Sequence, residues 1–470
     1  MADNSYEAIV IGAGPGGYPA GIRLAQLGVK TLVVEKEYYG GVCLNWGCIP
    51  SKALIAAANT YEDIGNYGTM GISVGDVSID VGALQDWKNG IVKGLTSGVE
   101  SLLKANKADS MMGTAKLVAK NTVEVTKADG SKESFTASKG IVIATGARVI
   151  EIPGMELDGD IIISAREAVS LRDATGTMVI VGGGVIGMEL GMVYQKLGMQ
   201  VIVVELMTQL LSGVDKDLVR VVQKKFEKSG GKVHLESKVE KIEKGSGKAT
   251  VTVGAKDGSS FTIEAQKVLM AVGFKPNSQG LGLEDVGVTL DDRGHIKVDR
   301  RLETNVPGIF AIGDVSGAPY LAHKATKEGE IVAEVVAGHK AAVDWRAMPA
   351  AIFTEPEIAT VGITETEAKN EGRAVKIGKF PFKVSGRAMA VRHTDGFIKT
   401  IVDAETNEVL GVGMVGPEAS NLISEAALAI EMCAFAEDVH LTIHPHPTLG
   451  EAVMESFKHA LGEAVHILNR

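Results

Sequence analysis

The chain has 470 residues and a net charge of −10, with 45 % hydrophobic and 23 % charged residues. That length calls for about three domains at roughly 100–200 residues each; the composition excludes wholesale disorder, and the acidity argues against nucleic acid as a partner. With no run of about 18 apolar residues and only three cysteines, neither a membrane span nor a secreted disulfide framework is expected, and the cytoplasm is the expected compartment.

Glycine supplies 57 of the 470 residues, about 12 % against a typical ~7 %, with no triplet period, which points to tight backbone turns. The opening run, Met1 to Glu7, is acidic and leads into a strand, so neither a signal peptide nor a transit peptide is expected there. Residues 7–17 read Glu-Ala-Ile-Val-Ile-Gly-Ala-Gly-Pro-Gly-Gly, which predicts a short apolar strand, then Gly12, Gly14 and Gly17 in the pattern G-x-G-x-x-G, then a helix. A second strand, Thr31 to Val34, closes on Glu35. The same order returns from Met178, with Gly182, Gly184 and Gly187, then a strand from Val201 to Val204 closed by Glu205. First glycine and acid lie 23 residues apart in both copies.

The spacing has a physical reason. The first glycine permits the tight turn, the second lets backbone approach a pyrophosphate, and the third lets helix and strand pack closely. Free N–H groups at the helix start face the anion, and the acid accepts from ribose hydroxyls. One such motif can be only a turn; two copies in the same strand–helix–strand setting predict two dinucleotide-binding modules.

Further strands run from Gly140 to Ile143, ahead of Ala144-Thr145-Gly146, and from Lys267 to Met270, ahead of Ala271-Val272-Gly273. Such glycines at strand ends border the crevice where open α/β sheets bind ligands. Asn121–Thr126 and Thr250–Val253 alternate as antiparallel excursions do. From about 345 polar strands, 396–402 and 408–415, precede a helix from about 418 to 435 with no phosphate loop. The fold class expected is α/β: two Rossmann-like dinucleotide-binding domains plus a C-terminal α+β domain. The expected divisions are 1–147, 148–274, 275–344 and 345–470.

Cys43 and Cys48 follow the first acid. Their separation is not that of a zinc knuckle and no paired Cys/His set lies near, so no metal is expected. On a regular helix they would stand ~140° apart and ~7.5 Å displaced, whereas a disulfide needs Cα atoms within about 6.8 Å. Bridging calls for a distorted first turn, which Gly47 and Gly40-Gly41 permit. Two unpaired core thiols are the alternative, and Cys433, in an apolar helical stretch, reads that way.

The run Gly40-Gly41-Val42-Cys43-Leu44-Asn45-Trp46-Gly47-Cys48-Ile49-Pro50-Ser51-Lys52 resembles the redox-active disulfide motif of the pyridine nucleotide–disulfide oxidoreductases. Motifs from Gly12 to Glu451 stand in that family's order, nearest to its dihydrolipoamide-oxidising branch. The resemblance implies FAD on the first module, NAD on the second, a central domain completing the FAD site, and a C-terminal dimerisation domain. It implies a Cys43–Cys48 redox disulfide, with Cys43 the interchange thiol and Cys48 against the flavin. Lys52, four residues on and on the same helical face, would approach the flavin and pair with Glu189; a pair of solvated helix charges is the other reading. Asp314 would meet the ribitol, or only cap a helix, and Leu321 and Ala322 bring backbone toward the isoalloxazine. Ala115 and Val239 correspond to backbone contacts with the two adenines. Phe274 stands where the family commonly has arginine.

His446 and Glu451 match the family's H-P-T-x-x-E. The resemblance gives His446 the part of a base supplied to the partner subunit's disulfide, with Glu451 holding it. Thr448-x-x-Glu451 is equally a capping box for the last helix. His444 reads as structural, and Gly450 replaces a serine. The implied reaction turns dihydrolipoamide into lipoamide with reduction of NAD⁺. Its expected partners are a second copy of the chain and the lipoyl domain of a separate carrier protein, in a 2-oxo acid dehydrogenase or glycine cleavage complex. Leu206 to Leu210 hold no Arg or Lys for a 2′-phosphate, which argues against the glutathione-type reductases. An inactive nucleotide-binding scaffold would not need Cys43, Cys48, His446 and Glu451 together.

Overall fold

The computed structural model describes residues 4–469, so Met1 to Asp3 of the acidic opening run lie outside the described residues. The first module is a parallel sheet in the order Asp109–Met112, Thr31–Glu35, Ser5–Ile11, Lys132–Ile143, Ile309–Ala311. The second repeats it as Lys232–His234, Gln200–Val204, Thr177–Val181, Lys267–Met270, Ile162–Ile163. In each, the fifth strand comes from outside the repeated unit. For the first module it comes from after the second module, and for the second from before its own glycine motif.

Successive strand residues point to opposite faces, so strands covered on both sides read as unbroken apolar runs. Ala8 and Val10 pack with Leu24, Leu103 and Val332 of helices, while Ile9 and Ile11 pack with Leu117, Val123 and Val125 of an antiparallel meander. Ile180 and Val203 face Val193 and Phe226 of helices; Val181 and Val204 face Val251 and Val253 of a second meander. Both modules are therefore three layers: helices, parallel sheet, antiparallel sheet. The strands Ala147–Val149 and Phe274–Pro276 pair with each other and carry the chain into and out of the second module.

The C-terminal region is an antiparallel sheet, Ala350–Ile352, Glu357–Gly362, Val409–Gly416, Phe397–Asp403, Val375–Pro381, backed by the helices Ala419–Glu431 and Glu451–Leu461. Two expectations change here. The strands read as polar are buried along almost their whole length, even at Lys399. Lys399 is tolerated inside because Asp215, Asp217 and Glu365 surround its ammonium at 2.7–2.9 Å. The helix expected to reach about 435 stops at Glu431; Cys433 follows with φ +54 and is exposed, so it is not a core thiol. No helix among the described residues is long and apolar enough to cross a membrane.

Candidate active site

The cysteines sit in the connection between the second and third strands of the first sheet. A short helix, Gly41–Asn45, carries Cys43, and a long one, Cys48–Ile64, begins at Cys48. The distortion expected between them is a full break: Trp46 and Gly47 leave helical geometry (Gly47 φ −119, ψ −112). A Cβ on Gly47 would lie 2.9 Å from the Val42 oxygen and 3.2 Å from Cys43 Cα, so only glycine lets the two segments close up. Gly41 lies against the first phosphate loop, where its Cβ would come 2.8 Å from Gly14 Cα, and the Gly40 N–H donates to the Ala13 oxygen at 2.8 Å.

Cys43 and Cys48 are unbridged, half-buried thiols. The Cys43 thiol holds that of Cys48 below its ordinary value against the cost of burial, and Lys52 helps; Cys48 in turn, with burial, drives Cys43 up. The negative charge of a reduced pair thus belongs on Cys48. Tyr18, which the sequence did not single out, lies close enough to Cys43 to have its phenol pushed up, chiefly by burial and then by that neighbour.

Lys52 reaches from the second of these helices to the second module, with Nζ 2.8 Å from Glu189 Oε2. Glu189 is 4 % exposed, so the pair is no solvated surface contact. Its other oxygen accepts the Phe353 N–H at 2.8 Å, and the ammonium lies 4.6 Å from the Phe353 ring centroid. Phe353, from the C-terminal region, joins this junction without any signal in the sequence.

The two glycine motifs have one geometry. Gly12 and Gly182 have φ +102 and +103, and their Cβ atoms would strike the Ala144 and Ala271 oxygens at 2.4 and 2.5 Å. Cβ atoms on Gly17 and Gly187 would fall 1.8 and 2.3 Å from the oxygens of Gly12 and Gly182. At Gly14 and Gly184 the nearest neighbour would be 3.9 Å away or absent within 4 Å, which leaves the open approach a pyrophosphate needs. Glu35 accepts N–H bonds from Ala13 at 2.7 Å and Glu37 at 2.8 Å; Glu205 accepts them from Gly183 at 2.6 Å and Met207 at 2.7 Å. The backbone N–H of Gly113 bonds the Glu35 oxygen and that of Ser237 the Glu205 oxygen, and two residues beyond each stand Ala115 and Val239. Thr145 and Gly146 are tied to Asn277 by hydrogen bonds of 2.8–3.0 Å. Gly273 has φ +110.

Asp314 follows the fifth strand of the first sheet. Burial pushes its carboxyl up to about 6, with Lys324 pulling the other way, and it has no hydrogen-bond partner among the described residues. Such an acid suits a ligand hydroxyl, as FAD would offer. It does not cap a helix. Leu321 and Ala322 open the helix Ala322–Val336, whose first N–H groups have no intrahelical acceptor. That helix crosses the first phosphate loop: a Cβ on Gly329 would lie 2.5 Å from the Gly16 oxygen, and Thr326 Oγ1 donates to the Pro15 oxygen at 2.9 Å. Glu328, also without a signal in the sequence, accepts the Gly313 N–H at 2.7 Å. The residues present therefore fit FAD on the first module and NAD on the second.

His446 stands apart. Its imidazole is 81 % exposed, and its one hydrogen bond among the described residues is Nδ1 to Glu451 Oε1 at 2.8 Å. The two readings of Glu451 prove compatible, because Oε2 accepts the Thr448 N–H at 2.8 Å at the same time. Burial works against the charge, but the Thr448 amide and His446 hold the carboxyl below its usual range. Thr448 Oγ1 donates instead to the Pro445 oxygen, so the box is half-formed. His444 is tied at both nitrogens, to Glu425 and the Thr442 oxygen at 2.8 Å. Gly450 has an ordinary helical backbone. In the same C-terminal region Leu428, Met432, Leu441, Ile443 and Val465 are exposed.

Two family models match. Residues 6–329 match pyridine nucleotide-disulphide oxidoreductase, and 348–457 match the dimerisation domain of the same enzymes. The chain is 47 % identical over 466 residues to dihydrolipoyl dehydrogenase of Haloferax volcanii, covering 99 % of this chain and 98 % of the other. It is 46 % identical over 464 residues to dihydrolipoyl dehydrogenase of Geobacillus stearothermophilus, with 99 % and 98 % covered. Among solved structures it superposes on LpdA from Mycobacterium tuberculosis with a TM-score of 0.90 at 27 % identity, covering 96 % of this chain and 99 % of that one.

Proposed function

The chain belongs to the pyridine nucleotide-disulphide oxidoreductases, and from that premise we infer how its residues share the work. It is a flavoenzyme that oxidises dihydrolipoamide to lipoamide and reduces NAD⁺ to NADH, acting as a homodimer on a lipoyl-bearing partner. FAD, when bound, supplies the two-electron carrier between the cysteine pair and NAD⁺.

The observation that carries the residue roles is the polarised Cys43–Cys48 pair at the break between two helices, with Lys52 running from it to Glu189 of the second module. In the proposed sequence a substrate thiolate attacks Cys43 Sγ of the Cys43–Cys48 disulfide, and the S–S electrons leave on Cys48 as a thiolate. The second substrate thiol then displaces Cys43, giving cyclic lipoamide and a reduced pair. His446, oriented by Glu451, accepts the thiol proton, since a free thiol with pKa ~8.5 is only a few per cent ionised near neutrality. Gly12, Gly14, Gly17, Glu35 and Ala115 hold FAD together with Lys52, Thr145, Gly146, Asp314, Leu321 and Ala322. Gly182, Gly184, Gly187, Glu189, Glu205, Val239 and Gly273 hold NAD.

We propose the division 1–147, 148–274, 275–344 and 345–470, and the cytoplasm as the compartment, because three cysteines are too few for the disulfide framework of a secreted chain. The partner is proposed to be the lipoyl domain of a separate carrier in a 2-oxo acid dehydrogenase or glycine cleavage complex. A steady-state comparison tests the reading: dihydrolipoamide with NAD⁺ against glutathione disulfide with NADPH. Faster turnover of the second pair overturns it.

A further inference from the structure

Three side chains outside the site just described form a hydrogen-bonded line that ends beside it. His295 is 8 % exposed, and its Nδ1 lies 2.9 Å from Asp291 Oδ2. The other oxygen of Asp291 accepts the backbone N–H groups of Arg293 and His295 at 2.9 and 2.8 Å, so the acid is anchored. Burial works against its charge, yet His295 and those amides hold the carboxyl below its usual range. An ionised carboxylate only accepts, so Nδ1 carries a proton. The Tyr320 hydroxyl lies 2.7 Å from Nε2, hydrogen-bonded to it.

Tyr320 occupies a seam between the two modules. Its ring stands edge-on to Phe274, centroids 6.5 Å apart, and Phe274 directly follows Gly273. On the other side it directly precedes Leu321 and Ala322, and Asp314 is near enough to raise its phenol, after the larger effect of burial. The segment from Gly317 to Leu321 is held at its start by Lys324 Nζ, which donates to the Gly317 oxygen at 2.8 Å. At its end the Tyr320–His295 bond ties it to the turn at 291–295.

We propose that Tyr320, fixed by the His295–Asp291 pair, is a positioning residue for the flavin: it sets the backbone at Leu321 and Ala322 that meets the isoalloxazine. The proposal rests on the reading above that FAD lies along Asp314, Leu321 and Ala322. Phe274 gives Tyr320 only a ring contact, so the polar tie that fixes Tyr320 is the one to His295.

The test uses the holoprotein. Tyr320→Phe keeps the ring and its edge contact and removes one bond. It is expected to weaken FAD binding roughly 5-fold, the worth of one neutral hydrogen bond, and to shift the visible flavin spectrum and midpoint potential. His295→Ala should do the same, the double variant should go no further, and His295→Gln should recover part of the loss. Unchanged FAD affinity and spectrum in Tyr320→Phe, or effects that multiply in the double variant, overturn the proposal. So does a fall in apoprotein melting temperature with the flavin spectrum intact, which is what a purely structural bond would give. Should His295→Ala not fold, Tyr320→Phe decides alone. A wild-type chain that takes up no FAD sinks the flavin reading and this inference together, whereas equal uptake by wild type and Tyr320→Phe sinks only the inference.

Discussion

In the first module the loop from Ala13 to Gly17 lies under the helix Ala322–Val336, with Gly329 pressed on Gly16 and Thr326 bonded to Pro15. In the second module the residue that matches Gly16 is Ile186, which packs against that module's own core. The loops are otherwise the same, in φ, in carbonyl contacts and in an acid bonded to its own loop. What the modules share is the physics of holding a pyrophosphate. What they do not share is the cover: a helix from later in the chain lies across the first loop through Gly329 and Thr326. The same contrast appears in their crossovers. Between Glu205 and Lys232 the chain makes one helix, Lys216–Lys228, whereas between Glu35 and Asp109 it makes room for both cysteines and the 17-residue helix after them.

If the chemistry sits wholly in that enlarged crossover, removing it should leave both nucleotide modules working. Cys43→Ser and Cys48→Ser are each expected to abolish dihydrolipoamide turnover while NADH still reduces an artificial dye. The two should differ in spectrum. Cys43→Ser leaves Cys48 beside Lys52, with a serine hydroxyl in place of the neighbouring thiol, and as a thiolate it should show a long-wavelength absorption band; Cys48→Ser should not. Retained turnover in either variant breaks the comparison, and identical spectra break the assignment of the two thiols.

The acids give the next largest effect. Glu205 closes its strand and accepts two N–H bonds, from Gly183 of the glycine loop and from Met207. Glu205→Arg is expected to cut kcat/KM for NAD⁺ by roughly 10- to 100-fold, raise NADP⁺ use, and leave FAD content unchanged. Loss of FAD in this variant would mean that the modules are not separable.

A smaller effect sharpens the contrast through Asp314. Its carboxyl, ordinarily near 3.8, stands at about 6 because burial disfavours the charge. The folded chain then holds the extra proton between those values, so stability from this group falls as pH rises from about 4 to 6, and the penalty is complete above 6. Asp314→Asn should stabilise the apoprotein by on the order of 2 kcal/mol at pH 7 and hardly at all at pH 4, while weakening FAD. Thermal melts at the two pH values, with and without FAD, check both directions.

The repeated module was legible because its parts are local. A glycine triplet, two apolar runs and an acid at fixed spacing describe one continuous loop, and the Cys43–Cys48 segment is equally compact. Residues that join distant segments left no trace. Phe353 reaches Glu189 from 164 residues away, and Tyr320 meets His295 across a turn that no periodicity marks. Buried Lys399 misled for a related reason: a lysine in a strand reads as solvent-facing unless the three acids that enclose it, at 215, 217 and 365, are known to converge.

His446 belongs to neither module, and here the comparison needs a second chain. Its ring is 81 % exposed, bonded to Glu451 and to nothing near Cys43, and exposed Leu441 and Ile443 stand on the same domain, which matches the dimerisation model. Exposed apolar side chains of this kind are what an isologous interface buries, and a two-fold axis would create two sites at once, each with cysteines from one chain and histidine from the other. Complementation measures this directly. Cys43→Ser and His446→Ala chains, each nearly inactive as a homodimer, are mixed under subunit exchange. Random pairing makes about half the dimers mixed. Each mixed dimer has one intact site of two, with wild-type cysteines facing a wild-type histidine, so activity should return to about a quarter of wild type. A base supplied within its own chain predicts none, because every subunit then carries one broken part. Silence despite demonstrated exchange would refute the shared site, while leaving Cys43, Cys48 and His446 with the chemistry proposed for them.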